Sequence, residues 1–130
     1  MKMIHSMIRV LELQRSLDFY KKCFDLDICD QIDFESFSLI YLSNDECPFE
    51  LELTVNNSQT EPYELGNGYG HIAFSTDDLD GAHANMKTHG YEPRDIVDFY
   101  NGDTQVARFF FINDPDGYSI EVLERGGRFK

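Results

Sequence analysis

Two stretches of this chain carry the same marks in the same order. Ile4-His5-Ser6-Met7-Ile8 opens the first half, and Gly70-His71-Ile72-Ala73-Phe74 opens the second. Each half then closes on a strand with alternating acids, Phe49-Glu50-Leu51-Glu52-Leu53-Thr54 and Tyr118-Ser119-Ile120-Glu121-Val122-Leu123. His5 and His71 are each followed eight residues later by a leucine, Leu13 and Leu79, where a helical pattern begins. The chain reads as one kind of unit used twice.

The local signals fill in that unit. Met3 to Val10 alternates as a strand, with Ile4, Ser6, Ile8 and Val10 on one face and Met3, His5, Met7 and Arg9 on the other. Leu13, Leu17, Tyr20 and Phe24 form one apolar stripe and predict a helix over 13–24. Strands are expected near Ile28–Phe34, Phe37–Leu42 and Phe49–Val55, with turn chemistry at 43–48. In the third of these, Leu51, Leu53 and Val55 share one face, and Glu50, Glu52, Thr54 and Asn56 share the other. The polar stretch 57–68 is read as the connection between halves and as a candidate flap. The second half repeats the order. It has a strand at 69–75, a helix at 79–89 capped by Asp77-Asp78 and closed by Gly90, and strands near 92–98, 105–112 and 118–123. Asn101-Gly102 and Asp114-Pro115-Asp116-Gly117 are turn signals between the last three. The expected fold class is α+β, one domain over 1–130, with module one at about 1–60 and module two at about 68–130.

Composition excludes several classes of function. A net charge of −13 argues against nucleic acid and against an anionic membrane surface. No apolar run reaches the roughly 20 residues of a membrane helix. The three cysteines, Cys23, Cys29 and Cys47, have no metal-type spacing and read as reduced thiols of a cytoplasmic protein. The N-terminus already carries a strand pattern, which speaks against a signal peptide.

The residues left for chemistry are imidazoles and carboxylates. A histidine on a strand is commonly structural, and acids on an exposed strand face are commonly just solvated. The joint pattern changes the weighting, because both halves put a His on the first strand and a Glu on the last, opposite the apolar face. Two His and two Glu suit one divalent cation such as zinc, nickel, cobalt or manganese. With five or six coordination positions, water or a chelating substrate could occupy the remainder. Pattern alone leaves Glu50 and Glu52 equivalent. His83 and His89, on or after the helix, read as structural or surface residues.

With these pieces in place the chain resembles glyoxalase I (lactoylglutathione lyase), of the vicinal oxygen chelate superfamily. The resemblance rests on His5-Ser6-Met7-Ile8-Arg9-Val10, Leu13-Gln14-Arg15-Ser16-Leu17-Asp18-Phe19-Tyr20, and Glu52-Leu53-Thr54 with Asn56. It extends through Tyr63-Glu64-Leu65-Gly66, Tyr69-Gly70-His71-Ile72-Ala73, and Asp114-Pro115-Asp116-Gly117-Tyr118 leading to Ile120-Glu121. The resemblance implies paired βαβββ modules forming a curved mixed sheet around a metal site, and a homodimer. It implies His5, Glu52, His71 and Glu121 as metal ligands, which separates Glu52 from Glu50. It implies nickel or cobalt in preference to zinc, and glutathione as cosubstrate, with Arg9 and Asn56 at its γ-glutamyl group.

The implied reaction is isomerisation of the glutathione–methylglyoxal hemithioacetal to S-lactoylglutathione, a step in methylglyoxal detoxification, through a metal-bound cis-enediolate. Glu121 would move the proton between the two carbons, and Glu52 could share the shuttle. One departure concerns the stretch Val97 to Thr104. Relatives carry a Gly- and Lys-containing loop there, and Asp103 stands where the lysine is expected, with Arg94 or Arg108 as possible substitutes. The competing readings are another enzyme of the superfamily using a different thiol or substrate, and a non-catalytic small-ligand-binding protein of the same fold.

Overall fold

The computed structural model describes residues 1–130. The chain divides into two compact units, Met1–Glu64 and Leu65–Lys130, with the boundary inside the polar connection. The first unit contains β1 (His5–Arg9), α1 (Leu13–Phe24), β2 (Asp27–Asp33), β3 (Phe37–Asn44) and β4 (Cys47–Asn56). The second contains β5 (Ile72–Thr76), α2 (Leu79–Thr88), β6 (Val97–Asn101), β7 (Thr104–Asn113) and β8 (Ser119–Glu124). Each unit is therefore βαβββ, as the sequence repeat implies.

The two sheets share one topology. Their orders are β1-β4-β3-β2 and β5-β8-β7-β6. The first strand lies parallel to the last, and the remaining pairs are antiparallel. The first and last strands of each unit, which carry the His and Glu residues, are thus neighbours. The parallel pairing needs a crossover, which the helix begins.

Each sheet buries one face. In the first unit Ile8, Val10, Ile40, Leu42, Leu51 and Leu53 join Phe19 and Tyr20 of α1 in the core. In the second, Phe110, Ile112, Ile120 and Val122 join Leu79 and Met86 of α2. Full burial of such a side chain contributes about 1.5–3 kcal/mol. The most buried stripe of α1 runs through Ser16, Phe19 and Tyr20. It is rotated from the expected Leu13-Leu17-Tyr20-Phe24 stripe, whose other members are only half-buried. Ser16 is fully buried, and so small a side chain lets the helix sit close beneath it.

The helix ends follow their local chemistry. Asp78 Oδ1 accepts a 2.9 Å hydrogen bond from Gly81 N at the start of α2. Gly90 N–H bonds Lys87 O and Tyr91 N–H bonds Met86 O, with Gly90 at φ +83°, a Schellman closure.

Several expected boundaries move. β3 runs on to Asn44 and β4 starts from Cys47, both within the stretch read as a turn. β1 begins at His5 rather than Met3, and β5 begins at Ile72, so His71 sits just ahead of its strand. The strand expected at 92–98 lies instead at Val97–Asn101. Pro93 cannot donate to a ladder, and Arg94 N–H to Phe111 O is the hydrogen bond that ties this stretch to β7. Gly102, at φ +60°, then closes the two-residue turn between Asn101 and Thr104. No helix is long and apolar enough to cross a membrane.

Candidate metal centre and substrate site

In each unit the ladder brings one imidazole to one carboxylate. β1 pairs with β4 so that His5 stands beside Glu50 and Met7 beside Glu52. His5 Nε2 nevertheless lies 3.3 Å from Glu52 Oε2. In the second unit His71 Nε2 lies 3.1 Å from Glu121 Oε2. His71 precedes the ladder, which starts at Ile72 opposite Ile120. The hydrogen bond from Tyr69 OH to Ser119 O, 3.1 Å, ties this entry segment to β8.

The two pairs occupy equivalent positions. Each His reaches the carboxylate on the neighbouring parallel strand, on the face away from the helix. Across the antiparallel ladder, Tyr41 of β3 faces Glu52, and Phe111 of β7 faces Glu121. The Tyr41 ring meets His5 edge-on at 5.9 Å, and the Phe111 ring meets His71 edge-on at 5.4 Å. The carboxylates are largely covered, with side-chain exposure of 10% for Glu52 and 16% for Glu121, while His5 and His71 are 36% and 42% exposed.

The donor set fits a divalent cation. Two ligands at right angles, each about 2.1 Å from a metal, are about 3 Å apart. Both imidazole–carboxylate separations are close to that. Within neither unit do three His, Cys, Asp or Glu side chains form a metal-type cluster; each holds one imidazole–carboxylate pair, His5 with Glu52 and His71 with Glu121. Glu50 is turned elsewhere. Its Oε1 lies 3.5 Å from Cys29 Sγ, which also lies 3.3 Å from Tyr41 O.

Arg9 and Asn56 lie on the same face as Glu52. Arg9 is in register with Thr54, and Asn56 is one pleat further along β4. Asn56 Nδ2 donates to Tyr63 OH at 3.0 Å, so the connection after β4 orients the amide. Between them, Thr54 Oγ1 is buried and has no hydrogen-bond partner. A buried hydroxyl without a partner costs about 1–3 kcal/mol, and a polar ligand on this face would relieve that cost.

Other expectations resolve plainly. Arg108 is on the helix face. It forms a two-nitrogen pair with Asp80 (2.8 and 2.9 Å) and reaches Glu124 at 3.3 Å and Asp98 Oδ1 at 3.4 Å. Asp80 above all holds the guanidinium further above its ordinary value. It does not share the face of Glu121, because alternate β7 residues point to opposite faces and Phe109 and Phe111 take that one. Asp103 is exposed in the tight β6–β7 turn. His83 Nε2 is 2.9 Å from Arg94 O and its ring packs edge-on against Phe110 at 4.9 Å, a structural role. His89 Nδ1 is 2.9 Å from Asn85 O at the helix end.

Tyr41 is the site neighbour that the sequence does not mark; Thr54, on the Glu52 face by alternation, and Tyr63, within a matching motif, are marked there without a role. Tyr41 is unmarked because its partner across the ladder depends on a bulge.

A model of the Glyoxalase/Bleomycin resistance protein/Dioxygenase superfamily matches residues 2–122. The lactoylglutathione lyase of Neisseria meningitidis serogroup A is 38% identical over 129 residues, covering 96% of this chain and 91% of that protein. That of Escherichia coli O157:H7 is 36% identical, covering 95% and 93%. Among solved structures, glyoxalase I from Zea mays superposes with a TM-score of 0.84 at 29% identity, over 97% of this chain. This chain spans just under half the length of the maize protein, 45%. The trypanothione-dependent glyoxalase I of Leishmania major superposes with a TM-score of 0.76 at 31% identity, covering 95% of this chain and 86% of that one. Matches of this extent make the chain a member of the glyoxalase superfamily and of its lactoylglutathione lyase (glyoxalase I) family.

Proposed function

We propose that this protein isomerises the hemithioacetal of methylglyoxal and glutathione to S-lactoylglutathione, with one divalent cation held by His5, Glu52, His71 and Glu121. The observation that carries this reading is the repetition of one imidazole–carboxylate pair at equivalent ladder positions in two units of the same topology. The paired modules act as one domain, and the working form is a homodimer. Nickel or cobalt is the working metal rather than zinc. The protein acts in the cytoplasm, where its three free thiols stay reduced.

A bound divalent cation would supply Lewis-acid polarisation of the substrate's carbonyl oxygen. The remaining work belongs to the chain. Arg9 and Asn56 bind the γ-glutamyl end of the thiol, with the Thr54 hydroxyl beside them. Glu121 takes the proton from the carbon bearing sulfur and hydroxyl and returns it to the neighbouring carbonyl carbon. The second oxygen receives the hydroxyl proton, so the product is an isomer and no oxidant is needed. A positioned base of this kind contributes about 10²–10⁴ in rate. The partly covered setting of Glu121 limits competing water while leaving its carboxylate reachable.

The direct test is turnover of the hemithioacetal by metal-stripped protein refilled in parallel with nickel, cobalt and zinc. Strong turnover with nickel or cobalt and little with zinc is the expected result. Stoichiometric metal uptake with no turnover under any metal would overturn the assigned reaction.

A further inference from the structure

The chain that leaves β4 turns back on the strand's last residue, Asn56. Gln59 N–H donates to Asn56 O at 3.1 Å, closing a turn. Gln59 Nε2 donates to Glu61 O at 2.7 Å, and Pro62 fixes the next backbone angle. Asn57 anchors the start of this stretch beside the β2–β3 turn, with its N–H on Ser36 O at 2.9 Å and its Nδ2 on Glu35 O at 3.1 Å. These contacts return Tyr63 to the end of β4, where its phenol oxygen accepts a partly buried 3.0 Å hydrogen bond from Asn56 Nδ2.

An asparagine amide offers opposite chemistry on its two arms, N–H donors on nitrogen and an acceptor on oxygen. With Nδ2 committed to the phenol, Oδ1 is the arm left for a ligand. An open amide oxygen takes an N–H, so it attracts an ammonium and repels a carboxylate. One pleat back on the same face, Thr54 Oγ1 is buried and unpartnered, a second polar atom that a ligand here would complete. We infer that Tyr63 is a positioning residue for thiol recognition: its hydroxyl holds the Asn56 amide oxygen toward the ligand, so that the site selects a thiol whose carrier bears an α-ammonium group. The inference rests on the assignment of Asn56 to the γ-glutamyl end and deepens it by naming the atom that reads the ligand and the residue that sets it.

The probes are S-methylglutathione, a thioether that binds without turning over, and its glutaryl analogue, which keeps the carboxylate and lacks the ammonium. Isothermal titration on the Ni²⁺-loaded protein reads both, and circular dichroism with a thermal melt verifies folding of every variant. Wild type should bind S-methylglutathione about 10-fold more tightly than the analogue, the scale of one charge-assisted hydrogen bond. Tyr63→Phe keeps the ring and should weaken S-methylglutathione about 5-fold, within the cost of immobilising one side chain on binding, while the analogue changes less than about 2-fold. In Asn56→Ala the same change should cost less than about 2-fold on either probe. With the hemithioacetal, Tyr63→Phe should raise KM about 5-fold and leave kcat within about 2-fold. No loss, an equal loss on both probes, or an undiminished loss in Asn56→Ala overturns the positioning role. Equal binding of the two probes by wild type, or binding of neither, overturns the ammonium preference. Nitrogen-15 relaxation of the Asn56 side-chain amide reads the hold without any ligand. It should be rigid in wild type and mobile in Tyr63→Phe, and equal mobility overturns the hold. If the wild type shows the expected probe preference and Tyr63→Phe removes it, yet no hemithioacetal is turned over, the assigned reaction fails and the positioning role stands.

Discussion

Tyr41 stands directly across the β3–β4 ladder from Glu52, and its ring meets His5, the partner of that carboxylate, edge-on at 5.9 Å. The nearby Glu52 carboxylate above all, and secondarily desolvation and the negative charges of Glu50 and Asp30, hold the phenol above its ordinary value. In the second unit Phe111 makes the same ladder pairing with Glu121 and offers only its ring. Two units with one topology thus present two carboxylates in unequal surroundings.

The ligand assignment predicts that His71→Ala and His5→Ala each weaken Ni²⁺ binding more than about 100-fold, beyond the usual range for an outer-shell partner. Glu50→Gln, which alters an acid turned toward Cys29, should change affinity less than about 3-fold. Isothermal titration with Ni²⁺ checks both. Equal losses at Glu50 and Glu52 would refute the choice between them.

Glu121→Gln keeps the size and one oxygen of the side chain but cannot accept a proton at neutral pH. Its kcat for the hemithioacetal should fall by about 10²–10⁴. Steady-state kinetics at saturating metal reads this, and full retention of kcat would remove Glu121 from the proton transfer.

Cys23 differs from the other two thiols. Burial pushes it up to about 12, with Lys22 acting weakly in the opposite direction. Cys29 and Cys47 are exposed. Iodoacetamide at pH 8 should therefore label Cys29 and Cys47 first, leaving Cys23 largely unmodified in the folded protein, as mass spectrometry would show. The unfolded thiol ionises near pH 8.5 and the folded one only near 12. Its contribution to stability is therefore constant below about pH 8 and declines as pH rises toward 12.

The β7–β8 turn depends on Asp114, which is 5% exposed. Its Oδ1 accepts from Asp116 N at 3.0 Å and Tyr118 N at 2.9 Å. Asp114→Ala would strip both backbone donors of their partner and should cost about 2–3 kcal/mol. Urea denaturation measures it, and a loss below about 0.5 kcal/mol would show that other groups satisfy the turn.

Gly81 gives a prediction with a reversed sign. Alanine for glycine inside a helix usually stabilises by about 1 kcal/mol. Here a Cβ would meet Asp78 Oδ2 at 2.1 Å, so the cap would have to swing away. Loss of the cap costs about 1 kcal/mol, and Gly81→Ala should be neutral or destabilising. In an Asp78→Ala background the same change should regain its usual stabilisation. Thermal melts of the four proteins complete this comparison.

Much of the molecule was legible in the sequence because its signals are local. The 3.6-residue period marked α1, Asp78 and Gly90 marked the ends of α2, and the turns at Asn101-Gly102 and Asp114 to Gly117 separated the last strands. Alternation placed His5, Glu52 and Arg9 on one face, because successive strand residues point to opposite sides whatever they pair with. The repeat implied the shared topology.

Register belongs to the tertiary structure. Asn44 pairs with Cys47 at the β3–β4 turn, and counting evenly from there would set Tyr41 opposite Glu50. Between that pair and Leu42–Leu51, β3 advances two residues and β4 advances four, so Tyr41 meets Glu52 instead. Alternation is blind to such a two-residue slip, since it leaves every side chain on its own face. The same limit hid the ion pairs of Arg108 with Asp80 and Glu124, which join residues far apart in sequence. The sequence alone determined which chemical groups share a face. Packing and bulge geometry decided which of them touch, because those contacts are settled by how whole strands and helices fit together.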